Sequence, residues 1–173
     1  AILTKRCREN GVLSESQHIS VKIRHRREEV GRKTIPMSVY MNFLKPDAVK
    51  GREVIWVEGQ NNGNRIAHEG GLKNVLTVNL APNGSMAMRG QRYPVTEVGM
   101  KKLIEKMLEK GMRERQLGDC EVHLFREVAV SDRKCSAIEI VHPIAKPQFD
   151  FHRAQLFFDD EHKMPIRYVS WLW

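Results

Sequence analysis

A chain of 173 residues, 41% hydrophobic and 29% charged, has the length for one domain with a sizeable core and the composition of an ordinary globular protein. Its 29 Lys and Arg against 21 Asp and Glu leave a net charge of +8, a field that favours anionic surfaces such as nucleic acid, phospholipid headgroups or lipopolysaccharide phosphates. No run approaches the roughly 18 continuous apolar residues of a membrane-spanning helix, so no transmembrane segment is expected.

Ala1-Ile2-Leu3-Thr4-Lys5 reads as the middle of a strand rather than a signal peptide, which predicts a trimmed or processed chain. Cys7 falls in the same strand-like stretch, so it is not expected to carry a lipid. From Gln17 to His25 the pattern alternates, with Ile19, Val21 and Ile23 on one face and His18, Ser20, Lys22 and Arg24 on the other. That is the period of a half-buried antiparallel strand. The basic stretch Lys22 to Lys33 contains two glutamates and lies where a hairpin loop is expected, so it reads as a solvated loop. Pro36 then opens a run that puts Met37, Val39, Met41 and Phe43 on one face, with Tyr40 and Leu44 on the other. Arg52 to Glu58 is a third strand, and Gly59 to Asn64 a tight turn, because Asn and Gly tolerate positive φ. Arg65 to His68 returns, Gly70-Gly71 breaks, Val75 to Leu80 forms another strand, and Ala81 to Gly84 turns.

One helix is expected from about Val95 to Gln116, with Thr96 as its N-cap and Gly118 as its stop. Met100, Leu103, Ile104, Met107, Leu108 and Met112 fall on one side, and Lys101, Lys102, Glu105, Glu109 and Lys110 on the other. Four strand-like runs follow: Cys120 to Val130, Lys134 to His142, Phe151 to Phe158 and Pro165 to Trp173. The last two flank a polar loop, Asp159 to Lys163. Strands, one helix, then strands again make an α+β protein with an antiparallel sheet and no βαβ unit, expected as a single domain over 1–173.

Chemistry is sparse. Cys7, Cys120 and Cys135 have no ligand-like spacing, although Cys120 and Cys135 could pair across neighbouring strands in an oxidising compartment. HExxH, GxSxG, P-loop and GxGxxG patterns are all missing. His68-Glu69 beside two glycines reads as a loop pair. His142, Asp150 and His152 form the one cluster worth testing for a metal or for hydrolase-like chemistry. Trp56, Phe125, Phe157, Phe158, Trp171 and Trp173 sit in strands at core-like periods, away from the arginines, which argues against nucleic acid. No cofactor is implied, and the preferred reading is not an enzyme.

The phrases PMSVYMNFLKP, KGREVIWVEGQNNGN, IAHEGG, LAPNGSMAMRGQRYPVTEVGM and FDFHRAQLFFDDEHKMPIRYVSW span nearly the whole chain. Together they resemble a domain-of-unknown-function family found mainly in planctomycete-type bacteria, on secreted or lipid-anchored precursors. That family is similar in layout to the outer-membrane lipoprotein carriers of the LolA/LolB-like fold. The resemblance implies a half-open antiparallel β-barrel, a curved sheet wrapped around one long helix, with a bacterial envelope, periplasmic or secreted location. The carriers' cavity takes acyl chains; in this chain Met37, Val39, Met41 and Phe43 on the sheet and Met100, Leu103, Met107 and Leu108 on the helix are the residues that would either line such a cavity for a lipid or lipoprotein or pack as a solid core. Carriers have several lid helices where this chain has one. Three readings follow: a binding or carrier domain for an apolar ligand, a structural or sensor module docking a partner protein through a sheet edge or the basic loop, and an enzyme built on His142, Asp150 and His152. An anionic envelope surface is a further candidate partner.

Overall fold

Alternating apolar residues become strands throughout. The computed structural model describes residues 1–9, 11–28, 31, 34–71, 75–118 and 120–173. The basic residues Arg32 and Lys33 and the acid Glu29 of the expected loop lie outside them. The chain divides into two units, Ala1–Gly99 and Met100–Trp173, taken in turn.

The first unit contains β1 (Ile2–Lys5), β2 (Arg8–Glu9), β3 (Val12–Leu13), β4 (Gln17–Arg24), β5 (Arg27–Glu28), β6 (Thr34–Ile35), β7 (Ser38–Lys45), β8 (Glu53–Val57), β9 (Arg65–His68) and β10 (Thr77–Leu80). Six of them form an open antiparallel sheet in the order β1-β4-β7-β8-β9-β10, while β2-β3 and β5-β6 make two small ribbons. Cys7 lies between β1 and β2 rather than inside a strand, a correction to the sequence reading. β10 is shorter than expected, with Val75 and Leu76 exposed ahead of it. One sheet face carries the core: Ile19, Val21, Val39, Met41, Phe43, Val54, Trp56 and Ala67, closed by Met37 and Val95. Burying each such side chain contributes about 1.5–3 kcal/mol.

Two turns explain their residues. Asn61 and Asn62 take φ of 51° and 52°, a conformation Asn tolerates, and the Trp56 indole N–H donates to the Gly63 carbonyl oxygen at 3.1 Å. At Gly70 a Cβ would lie 2.1 Å from the Lys50 oxygen, so two backbones approach as only glycine permits. A single helical turn, α1 (Ser85–Met88), follows the predicted turn and buries Ala87.

The second unit holds α2 (Met100–Leu117) and a four-stranded antiparallel meander, β11 (Glu121–Val130), β12 (Arg133–Val141), β13 (Arg153–Asp159) and β14 (Met164–Trp171), in that order. α2 starts five residues later than the sequence predicts. Val95–Glu97 forms a short 3-10 turn, Val98 is extended, and Gly99 has φ 125°, which interrupts the helix. Thr96 therefore sits inside that turn and caps nothing. Gly118 ends α2 at φ 65° with its N–H donating to the Glu114 carbonyl oxygen at 3.2 Å, as expected. No helix among the described residues is long and apolar enough to cross a membrane.

Candidate functional site

The predicted cavity residues fall into two groups of different character. Met37, Val39, Met41 and Phe43 are buried side by side in the core of the first unit. On α2, Leu103 and Met107 are half-buried, on the same side as Lys110 and Glu114. Met100, Ile104, Leu108 and Met112, spaced four apart, are instead 38%, 39%, 60% and 66% exposed. The sheltered face of the helix thus ends in two polar residues, and the richer apolar row is open.

The sheltered polar pair explains part of this. Lys110 forms an ion pair with Asp150. One turn further, Glu114 Oε2 lies 3.4 Å from Nε2 of His142, both side chains being almost wholly buried. The loop after β12 folds Phe149 onto the His142 ring, stacked at 4.0 Å, and Phe151 tilts against it at 4.8 Å. Lys110 and Glu114 therefore hold the helix through polar contacts, and the apolar row is not needed for it.

These same contacts separate the proposed metal or catalytic trio. His142 Nδ1–H donates to the Phe151 carbonyl oxygen at 2.9 Å inside a closed aromatic pocket. Asp150 is on the surface with Lys110. His152 Nδ1–H donates to the His142 carbonyl oxygen at 3.1 Å and packs against Trp173. Each of the three is engaged separately, in hairpin and loop contacts.

Among the described residues, the side chains whose ligand atoms lie within 4.8 Å of one another are Asp159, Glu161 and His162, in the β13–β14 turn. The cation there is Arg133, whose Nη1 lies 2.7 Å from Asp159 and 2.9 Å from His162 Nδ1. The backbone N–H of His162, the guanidinium and the N–H of Glu161 hold the Asp159 carboxyl well below the usual carboxylate range, against the opposing effect of burial. A guanidinium already neutralises this cluster, so it braces the turn and does not suit a divalent ion.

The remaining sequence candidates separate as well. His68 shares a hydrogen bond with Thr77 at 2.7 Å, whereas Glu69 accepts from Arg52 at 2.8 Å. The three cysteines form no disulfide. Cys135 sits opposite Val128, while Cys120 precedes the other end of the ladder, where Glu121 faces Val141. About seven residues of strand, roughly 23 Å, lie between the two ends, too far for a bridge. Phe125 and Trp173, expected in the core, are exposed.

β11 carries the second open apolar surface. It is an edge strand, and Val122, Leu124 and Phe125 are all exposed. Glu114 and Arg133 were not singled out by sequence reasoning, and Lys110, expected on the polar side, lies instead on the sheltered side with Leu103 and Met107. Nothing local links Glu114 to a histidine 28 positions away.

These features describe an open antiparallel β protein with few helices and an apolar helix face left uncovered. The chain belongs to the family described as protein of unknown function (DUF1571), whose profile matches residues 1–173. No curated protein matches it. Among solved structures it is similar to a DUF1329 family protein from Desulfovibrio piger, at 11% identity and a TM-score of 0.39, over 98% of this chain and 62% of that one. It is also similar to a structure described as an outer membrane lipoprotein-sorting protein domain from Vibrio parahaemolyticus, at 8% identity and a TM-score of 0.43, over 98% of this chain and 63% of that one. The chain spans less than two thirds of either.

Proposed function

We propose that this domain is a non-enzymatic binding or carrier module of the bacterial cell envelope, whose ligand is a lipid or lipoprotein acyl chain. A ligand-lining role for Met100 and Leu108, named from the sequence, belongs to this proposal. The observation that supports it is the row Met100, Ile104, Leu108 and Met112, exposed along the whole of α2. Contiguous exposed apolar surface marks an interaction site, and methionine adapts to ligands of varied shape. Covering each of these four side chains would contribute about 1 kcal/mol.

Native mass spectrometry of protein purified from its own host tests this. A lipid should co-purify, and Leu108→Lys with Met112→Lys should release it while the fold persists, since both positions are exposed. Ligand-free protein, or lipid retained by the double variant, would refute the reading. The exposed edge strand β11 favours a second reading, a partner protein adding a strand there. Lipid-free protein that captures a partner sensitive to Leu124→Lys would select it.

A further inference from the structure

We propose that the outward face of the β4-β7-β8 region binds the phosphate group of an amphiphile, with Lys22 and Arg24 as its cationic contacts and Ile55 and Ile66 beside its apolar part. This site lies wholly within the first unit and does not depend on the α2 reading.

The strand register builds the site. Lys22 lies opposite Tyr40, Tyr40 opposite Ile55, and Ile55 opposite Ile66, so the four share one cross-strand row on one face. The next row places Arg24 opposite Ser38 and Ser38 opposite Val57. Ile23 and Val39 alternate with these and turn inward, Val39 into the buried core and Ile23 against it. Between the rows is an open groove of about 240 Å³, lined by Lys22, Ile23, Arg24, Ser38, Val39, Tyr40 and Ile55. Small Ser38, flanked by Arg24 and Val57, opens the space.

The chemistry of the lining is asymmetric. Among the described residues, neither Lys22 nor Arg24 forms an ion pair with a carboxylate, whereas the neighbouring Arg26 is paired with Glu58 at 3.1 Å. The Lys22 ammonium lies 5.8 Å from the centroid of the Tyr40 ring. Glu53, the acid nearest the groove, accepts the Tyr40 hydroxyl hydrogen bond, which fixes the ring along one wall. Two cations with no carboxylate partner among the described residues thus line one groove with a serine hydroxyl. Ile55 and Ile66 are exposed further along the same row, on the same face. Cations two residues apart on one strand project from the same face about 6.6 Å apart, a spacing that a tetrahedral phosphate bridges. A free phosphate would leave the two isoleucines uncovered, so an amphiphile fits the whole surface.

The test titrates the full chain with dodecyl phosphate below its micelle concentration, following backbone amide NMR shifts at Lys22, Arg24, Ser38 and Tyr40. Binding is expected there, weakened about tenfold by Lys22→Gln with Arg24→Gln. The control Lys134→Gln with Lys163→Gln removes the same charge from exposed positions of the second unit and should leave affinity unchanged. Equal weakening in both variants would reduce the effect to net charge and overturn the proposal. Inorganic phosphate binding as tightly as dodecyl phosphate would overturn the apolar contact. Dodecyl maltoside binding as tightly would overturn the phosphate contact.

Discussion

The buried imidazole of His142 determines what Glu114 must do. The Phe151 carbonyl oxygen can only accept, so Nδ1 carries the hydrogen and Nε2 presents a lone pair in the neutral ring. Nε2 faces Glu114 Oε2 at 3.4 Å and, among the described residues, has no hydrogen-bond partner. Glu114→Ala takes away that carboxylate and leaves a buried ring nitrogen alone, a loss of about 3 kcal/mol, the upper end for an unsatisfied buried polar group. Glu114→Gln brings an amide N–H that can donate to Nε2, so its loss should be nearer 1 kcal/mol. Urea unfolding of the two variants distinguishes these amounts. Equal losses would show that the contact is packing and not a polar pairing.

At the scale of elements, period-two alternation made most strands readable. β4, β7, β9, β12, β13 and β14 lie within a residue or two of their expected bounds, because each has an apolar face to bury, and β11 does so although Val122, Leu124 and Phe125 stay exposed. The two-residue ribbons β2-β3 and β5-β6 were hidden, since no apolar period can be read over two residues. α2 was legible as a helix and misread at its start. The apolar spacing continues back through Val95, but Gly99 at φ 125° breaks it. Most of all, amphipathicity identifies an apolar face without revealing whether that face is covered. Leu103 and Met107 are sheltered while Leu108 and Met112 are not, although all four belong to one sequence stripe. The groove beside Lys22 and Arg24 was hidden for another reason: it depends on which residues of β7 and β8 come opposite, and register is a property of pairing.

Gly111 tests how far α2 depends on its own propensity. It lies inside the helix, exposed, and a Cβ there would meet nothing within 4 Å. Gly111→Ala should stabilise the protein by about 1 kcal/mol, because alanine loses less backbone freedom on entering a helix. A fall in stability on urea unfolding would mean that α2 is strained at this point and needs the glycine.

For the whole molecule, the question is whether the two units are one domain. The division falls between Gly99 and Met100, where no linker intervenes. Val95 belongs to the first unit's core and Val98 packs against it, a Cβ on Gly99 would lie 3.2 Å from Ile23, and α2 begins at the next residue. Independent domains are normally joined through exposed, flexible segments, and a unit of only Met100–Trp173 is near the size where a core alone is marginal. We therefore expect 1–173 to unfold as one cooperative domain. Two perturbations placed far apart in the chain make this decisive. Gly70→Ala forces a Cβ into the Lys50–Gly51 backbone in the first unit, and Glu114→Ala disrupts the second. In scanning calorimetry each variant should move one shared transition to lower temperature, with calorimetric and van't Hoff enthalpies equal. If either splits the profile, leaving one transition at its original temperature, the units fold separately and the one-domain reading fails.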